Sequence, residues 1–431
     1  MSNETNAGVI GTRPSPRFRA LPPLALYIHI PWCVRKCPYC DFNSHEARGE
    51  VPEQQYIAAL IADLERALPQ VWGRRVYSVF FGGGTPSLFS AQGIDAILSA
   101  VRARLPLASD AEITLEANPG TFEAEKFQAF RAAGVNRLSI GIQSFSPRHL
   151  EALGRIHDGA EARRAIEIAR TNFDNFNLDL MFALPQQTVA EARADVESAL
   201  EYAPPHLSAY HLTIEPNTYF HRYPPRLPDD EASAAMQDEI EALLAAHGYE
   251  HYEVSAFAKS VGFAERGNDV RRSPLSSLPA ARDARCRHNL NYWTFGDYLG
   301  IGAGAHSKLS FADRIVRQMR HKQPKQYMET ALQGGAVQTE QEVSAHEVGF
   351  EFMMNALRLT EGFAVGLFAE RAGVPLNAVL AELDEAERRG LITRDHQRIA
   401  PTPLGRRFLN DLLQIFLPDR PGSGRLPGSA A

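Results

Sequence analysis

At 431 residues, 44% of them hydrophobic, the chain suits one large domain plus a smaller one. Forty-five basic and 51 acidic residues leave a net charge of −6, with the signs interspersed, which argues against broad nucleic-acid binding. Four cysteines in so long a chain exclude a disulfide framework, and the crowding of Cys33, Cys37 and Cys40 points to metal or redox work.

In chain order, residues 1–23 are polar and rich in Pro, Arg and Gly. They have no apolar core, so a flexible N-terminus is expected rather than a secretory signal. No apolar run of about 18 residues occurs, so no membrane-spanning helix is expected. Residues 24–258 alternate short apolar runs with amphipathic segments. The runs are Leu26–Ile30, Val76–Phe81, Glu112–Glu116, Arg137–Ile142, Asn177–Phe182 and Leu207–Leu212. Between the first two, Tyr56, Ala59, Leu60, Leu64 and Leu68 share one helical face. Such alternation predicts an α/β fold with a parallel sheet. Six units make an incomplete (β/α)6 barrel; an open doubly wound sheet is the alternative. Residues 259–285, rich in Gly, Pro, Ser, Ala and Arg, read as a flexible insertion. An aromatic and glycine-rich connecting segment spans 286–341. Residues 342–418 read as a helical, winged-helix-like domain with a hairpin at 390–400, and 419–431 as a flexible tail. In that domain Arg388, Arg389, Arg394, Arg406 and Arg407 are offset by Glu382, Asp384, Glu385, Glu387 and Asp395. The balance favours a structural or docking role over DNA binding.

The cysteines follow the first strand with the spacing Cys-x3-Cys-x2-Cys. Pro38 breaks any helix through them, so a loop is predicted. It stands on the C-terminal rim of a β/α barrel, where active sites gather. Three thiolates can grip three corners of a cubic iron–sulfur cluster and leave one iron open. A zinc site completed by His29 or His45 is the alternative. The second strand runs into Phe81-Gly-Gly-Gly-Thr-Pro-Ser87. Its glycines let backbone approach a ligand, and no Gly-Lys-Ser/Thr follows, so it is not a phosphate loop. Polar residues recur along the rim: Glu116 and Gln143 at strand ends, Arg155 on the helix after strand four, Asp179 in strand five and Tyr210 ending strand six. Core packing alone predicts no such series.

The cysteine spacing after a first strand resembles the radical S-adenosylmethionine (SAM) superfamily. The resemblance implies that Cys33, Cys37 and Cys40 hold a [4Fe-4S] cluster whose fourth iron is chelated by SAM. It implies that Gly83, Gly84 and Thr85 meet the SAM amine. The segments are similar to the coproporphyrinogen-oxidase-like branch, which implies that Tyr27, Tyr39, Glu116, Gln143, Arg155, Asp179 and Tyr210 contact SAM. Glu116 and Asp179 suit the ribose hydroxyls, and Arg155 suits the methionine carboxylate.

Two functions compete within the branch: the oxygen-independent coproporphyrinogen III oxidase and the heme chaperones. The oxidase pattern carries a fourth cysteine where this chain has Phe42, and a longer segment before the first strand than the roughly 24 residues here. Arg287-His-Asn-Leu-Asn-Tyr-Trp293, with the run Tyr298–Ser307, resembles the chaperones. That likeness implies heme held by His288, Asn289, Tyr292 and Trp293. The imidazole of His288 is the favoured axial ligand, ahead of His306 and Cys286, and Tyr292 and Trp293 offer flat faces to a porphyrin. It implies a cytoplasmic heme-transfer protein, peripheral to the membrane, without oxidase activity. Its partners are heme, heme-accepting proteins at the membrane surface and a second copy of the chain, with no nucleic acid. Arg266, Arg271, Arg272, Arg282 and Arg285 precede the heme motif; a solvated loop is favoured for them over a grip on heme propionates.

Overall fold

In the computed structural model, which describes residues 15–121, 124–259 and 283–418, the six apolar runs become six parallel strands. They are β1 (Leu24–Ile30), β2 (Val76–Gly83), β3 (Leu107–Ala117), β4 (Arg137–Gln143), β5 (Phe176–Phe182) and β6 (His206–His211). Each pairs with its successor. A long helix follows each in turn: α1 (Glu53–Ala67), α2 (Ala91–Arg104), α3 (Ala124–Ala133), α4 (Gly159–Asn172), α5 (Val189–Leu200) and α6 (Asp230–Ala246). A doubly wound sheet reverses its strand order at a switch point. The order here is strictly sequential and the sheet does not close, so the architecture is the unclosed (β/α)6 arrangement.

These strands are buried along nearly their whole length, and apolar residues dominate them. The helix-covered face buries Leu26, Ile28, Val79, Leu138, Ile140 and Leu178. The other face carries a layer of small polar groups. Asn177 Nδ2 donates to Ser139 Oγ (2.8 Å), Ser139 Oγ to Asp179 Oδ2 (2.9 Å) and Ser208 Oγ to Asn177 Oδ1 (3.1 Å). His206 Nδ1 lies 2.6 Å from the same Asn177 oxygen. This polar inner face lies below the rim.

The sheet continues past residue 258. A hairpin of β7 (Tyr249–Glu253) and β8 (Ala256–Lys259) joins β6 antiparallel. On the other side β9 (Asp297–Ile301) pairs parallel with β1, followed antiparallel by β10 (His306–Ser310), β11 (Ile315–Arg320) and β12 (Val337–Glu342). The 286–341 segment thus supplies a seventh parallel strand and three antiparallel ones. A Cβ on Gly300 would stand 2.1 Å from the His306 carbonyl oxygen, so only glycine lets this tight β9–β10 pair form.

Beyond the sheet, β13 (Phe363–Ala364), β14 (Ile392–Arg394) and β15 (Arg398–Pro401) form a small antiparallel sheet in the order β13-β15-β14. With its helices it buries Phe352, Phe363, Phe368, Leu383, Ile399 and Leu412, the helix-and-wing layout expected. Four of the five basic residues named above are engaged on the protein: Arg388 and Arg389 with Glu385, Arg394 with Asp384 and Glu387, and Arg407 with Asp238 of α6. Of the segments expected to be flexible, 1–14, 260–282 and 419–431 lie outside the described residues. Residues 15–23 are tied down instead. Arg17 N donates to Gly373 O (2.7 Å), Phe18 N to Ala312 O (3.0 Å), and the Phe18 ring packs on the C-terminal core. Among the described residues no helix is long and apolar enough to cross a membrane.

Candidate cofactor site

The cysteine loop springs from the end of β1 and is sewn to its neighbours at the root. Gly84 N donates to Ile30 O (2.8 Å), Thr85 N to Trp32 O (2.7 Å), His45 N to Pro31 O (2.7 Å) and Ala47 N to Cys33 O (2.9 Å). Trp32 anchors the root, edge-on to Tyr56 at 4.8 Å. Cys33, Cys37 and Cys40 are free, partly buried thiols on one cavity wall. Burial pushes the Cys33 thiol up to about 11 and Cys40 also upward, so cluster binding must displace protons. The donor set fits three thiolates with one metal position open. The fourth cysteine, Cys286, is buried beside Glu112 and does not line this wall. His29 has both ring nitrogens engaged, Nδ1 with the Tyr27 hydroxyl (3.0 Å) and Nε2 with Asn43 O (2.9 Å), so it is not a spare zinc ligand. Among the described residues no three His, Cys, Asp or Glu side chains are drawn together as around a bare ion.

The cavity beside the thiols measures about 360 Å³. Around it stand Tyr39, Gly83, Gly84, Thr85, Glu116, Gln143, Arg155, Asp179 and Tyr210, from six different strand ends and loops. The N–H groups of the glycine loop are already spent: Gly83 on Glu116 Oε2 (3.1 Å), Gly84 and Thr85 on the cysteine-loop root. Carbonyl oxygens are its remaining backbone polar groups, and those are what an ammonium needs. Gln143 ends β4 in the left-handed region, at φ 68°, a strained setting that re-aims a side chain at a strand end.

Arg155 departs from expectation. It lies in the turn after a short helix, Pro147–Ala152, rather than on a helix, because Gly154 at φ +66° terminates that helix. A Cβ on Gly154 would sit 2.8 Å from Pro38 Cδ, so the same glycine admits the cysteine loop. The buried guanidinium donates through Nη2 to Asn118 Oδ1 (2.6 Å) and Gly141 O (2.8 Å), and Nη1 lies 3.6 Å from Cys37 Sγ. Asn118 also donates to Thr85 Oγ1 (2.8 Å), coupling two rim residues. Sequence reasoning passed over it, although it stands two residues past Glu116 beside Pro119. Burial, then the neighbouring Asp179, pushes the Glu116 carboxyl up to about 8; burial raises Asp179 too, against hydrogen bonds from Ser139 and Asn177. Two buried acids of this kind suit a pair of vicinal hydroxyls.

A second cavity of about 860 Å³ opens over the polar inner face. It shares Cys40, Phe42, Gly83, Glu116, Asp179 and Tyr210 with the first, so the two are contiguous. Tyr27 lines this one and not the first. The helix α7 (Arg287–Trp293) lies over β2, and Glu112 receives the N–H groups of Arg287 (3.2 Å) and His288 (3.1 Å). His288 Nδ1 lies 3.1 Å from Ser78 Oγ, and its ring packs on Phe80 at 4.9 Å. Burial, then Arg137, lowers its pKa to about 3, so the imidazole stays neutral. Asn289, Tyr292, Cys286 and His306 share the lining. Trp293 does not: it packs on Tyr292 at 4.4 Å, under the guanidinium of Arg358 at 5.3 Å. The Cys286 thiol is pushed up to about 12 by burial and sits 3.2 Å from Asn289 Oδ1. In the insertion, Arg285 is paired with Asp283 (2.6 Å); the other four arginines lie outside the described residues.

Residues 27–199 match the model of the radical SAM superfamily, and 343–408 that of the HemN C-terminal domain. The radical SAM superfamily brings with it the [4Fe-4S] cluster and SAM, for which the first cavity and its three thiols are suited. The chain is 48% identical over 399 residues to the heme chaperone HemW of Escherichia coli (strain K12), covering 92% of this chain and 99% of that one. It is 32% identical over 400 residues to HemW of Bacillus subtilis (strain 168), covering 91% and 98%. Among solved structures it resembles coproporphyrinogen III oxidase (HemN) from Escherichia coli, a radical SAM enzyme. The TM-score is 0.75 at 24% identity, over 92% of this chain and 90% of that one, a likeness of fold. The contiguous cavities, the three-thiol rim and this near full-length similarity together make the chain a member of the HemW family of heme chaperones.

Proposed function

We propose that this chain binds heme and passes it to heme-dependent proteins, with the cluster and SAM in the first cavity. The observation that carries the reading is the wall of the second cavity, where a neutral His288 is held by Ser78 and Glu112 above a space contiguous with the first cavity. A neutral imidazole can ligate iron without losing a proton. His288 is preferred to Cys286, whose thiol is buried, protonated and hydrogen-bonded, and to the exposed His306. Tyr292 supplies the flat contact. In the first cavity Arg155 takes the SAM carboxylate, the glycine-loop carbonyls the amine, and Glu116 and Asp179 the ribose. When bound, the cluster supplies an open iron position and an electron; the protein's part is to orient SAM and exclude water.

The reading extends to a cytoplasmic, homodimeric protein that meets its recipients at the membrane surface. Exposed apolar side chains on the C-terminal domain, Leu404, Phe408 and Leu417, support a docking role there. The test is to incubate the anaerobically reconstituted protein with coproporphyrinogen III, SAM and a reductant, and separately with heme and an apo-heme protein. Heme transfer without formation of protoporphyrinogen IX is expected. Conversion of the porphyrinogen would overturn the proposal in favour of the oxidase. Substituting His288→Ala should shift the heme absorption bands; an unchanged spectrum removes His288 as ligand.

A further inference from the structure

The floor of the second cavity holds a buried cation that is short of hydrogen bonds. Arg137, the first residue of β4, is only 2% exposed, yet it lines the cavity. Its Nε is buried with no partner among the described residues. The two carboxylates whose fields reach it are committed elsewhere. Glu112 accepts from the N–H groups of Arg287 and His288 (3.2 and 3.1 Å), and Asp179 accepts from Ser139 Oγ and Asn177 Nδ2 (2.9 and 2.8 Å). Of the other groups around it, the Cys286 thiol lies 3.2 Å from Asn289 Oδ1 and 3.6 Å from Glu112 Oε1, the Tyr252 hydroxyl meets the Cys286 N–H (3.1 Å) and His206 Nε2 (2.8 Å), and His206 Nδ1 and Ser208 are spent on Asn177.

A buried guanidinium left short of acceptors is destabilising, and a native structure that keeps one needs a reason. Arg74, Arg155 and Arg371 also carry buried nitrogens without a partner, but each has another acceptor; Arg137 has no side-chain hydrogen bond or ion pair to a described residue, and it lines a cavity. The chemistry also selects the ligand. Arginine's planar fork matches the two oxygens of a carboxylate, which a lysine in the same place would meet only as a point charge. The placement is specific as well. Ser78, which holds His288, stands opposite Glu112 on β3, and Arg137 stands opposite Thr114 on the same strand. Two strand spacings across and two residues along, roughly 12 Å of sheet, therefore separate the backbone of the imidazole's anchor from that of Arg137. That is the scale of half a macrocycle with a carboxylate arm.

We infer that Arg137 binds a propionate carboxylate of a tetrapyrrole seated in the second cavity. This rests on the heme reading above and adds to it the orientation of the ligand: one propionate points down to the sheet. Esterification of the propionates removes the charge and keeps the ring and the iron. The experiment titrates the full-length protein with heme and with heme dimethyl ester, followed by absorbance, for wild type, Arg137→Gln and Arg137→Lys. Wild type is expected to favour the free acid by about tenfold or more, equivalent to about 1.4 kcal/mol. Arg137→Gln should bring the two affinities to within about twofold of each other by losing affinity for the acid alone. Arg137→Lys should reduce the preference by about threefold or more, because the fork is gone. Equal affinities in wild type, or an undiminished preference in Arg137→Gln, overturn the inference. Should Arg137→Gln fail to fold, an undiminished preference in Arg137→Lys overturns it equally. A wild type that binds neither ligand removes the heme reading itself, so the two failures are distinguishable.

Discussion

Gly84→Ala should strip the protein of its cluster by moving the loop that holds it. The added methyl would stand 2.5 Å from Trp32 O and 2.7 Å from Trp32 C, both backbone atoms of the cysteine-loop root. Ordinary contact begins at 3.4 Å, so the root must retreat by about 0.9 Å, and no side-chain rotation relieves it. That retreat works against two short bonds, Gly84 N to Ile30 O at 2.8 Å and Thr85 N to Trp32 O at 2.7 Å. Overpacking costs about 1–3 kcal/mol, and weakening two buried hydrogen bonds adds roughly 1–2 kcal/mol. A loss of about 2–5 kcal/mol is expected in denaturant unfolding. A shift of this size at Cys33, next in chain after Trp32, also spoils a ligand set that tolerates little misplacement. Iron and sulfide per chain after anaerobic reconstitution should fall well below wild type. Gly366→Ala is the control, since nothing lies within 4 Å of its added methyl and its backbone is helical; it should be neutral or slightly stabilising. A Gly84→Ala protein with full iron and wild-type stability would refute the account of the glycine loop as a spacer.

Arg155→Lys keeps the charge but cannot span Asn118, Gly141 and a ligand carboxylate together; SAM affinity in the reconstituted protein should fall about 10- to 100-fold. Equilibrium dialysis with iron content unchanged tests this, and wild-type SAM affinity would remove Arg155 as the carboxylate clamp. Glu116 binds its proton more tightly folded, at about 8, than at its ordinary value of 4.5. Its contribution to stability is therefore full below about pH 4.5 and is lost as pH rises through 8. In the cofactor-free protein Glu116→Gln should flatten the fall in stability between pH 5 and 8.5, by an amount on the order of 4 kcal/mol. Urea unfolding across that range tests it; equal slopes in the two proteins would show that Glu116 ionises without cost.

The parallel sheet is legible because the helix-facing positions of each strand are apolar, and each strand is followed by an amphipathic helix. The seventh parallel strand was not legible: Asp297–Ile301 has five residues and one glycine, and its only parallel neighbour, β1, lies far away in sequence. No local period announces a strand whose partner is supplied by the far end of the sheet. The rim divides the same way. The cysteines, Glu116 and Asp179 stand out because thiols in a loop after a strand, and acids in or at the end of a strand, are unexpected in a core. Arg155 reads as helical from its neighbours, and the stop at Gly154 puts it in a turn instead. Asn118 and Arg137 were missed, since their meaning lies in partners across the sheet: one bridges Thr85 and Arg155, the other lacks acceptors at the cavity floor.

Phe42 joins the sequence argument to the geometry. The position at which the oxidase pattern carries a cysteine is here 61% exposed and lies on the wall that both cavities share. Its carbonyl receives the Lys36 ammonium at 3.2 Å, which fixes the loop there while the ring remains unburied. A single exposed phenylalanine is ordinary on a protein surface; what distinguishes this one is its place, on the wall common to the two cavities. On the heme reading proposed above, this ring stands where the two spaces meet and offers a flat macrocycle an apolar edge.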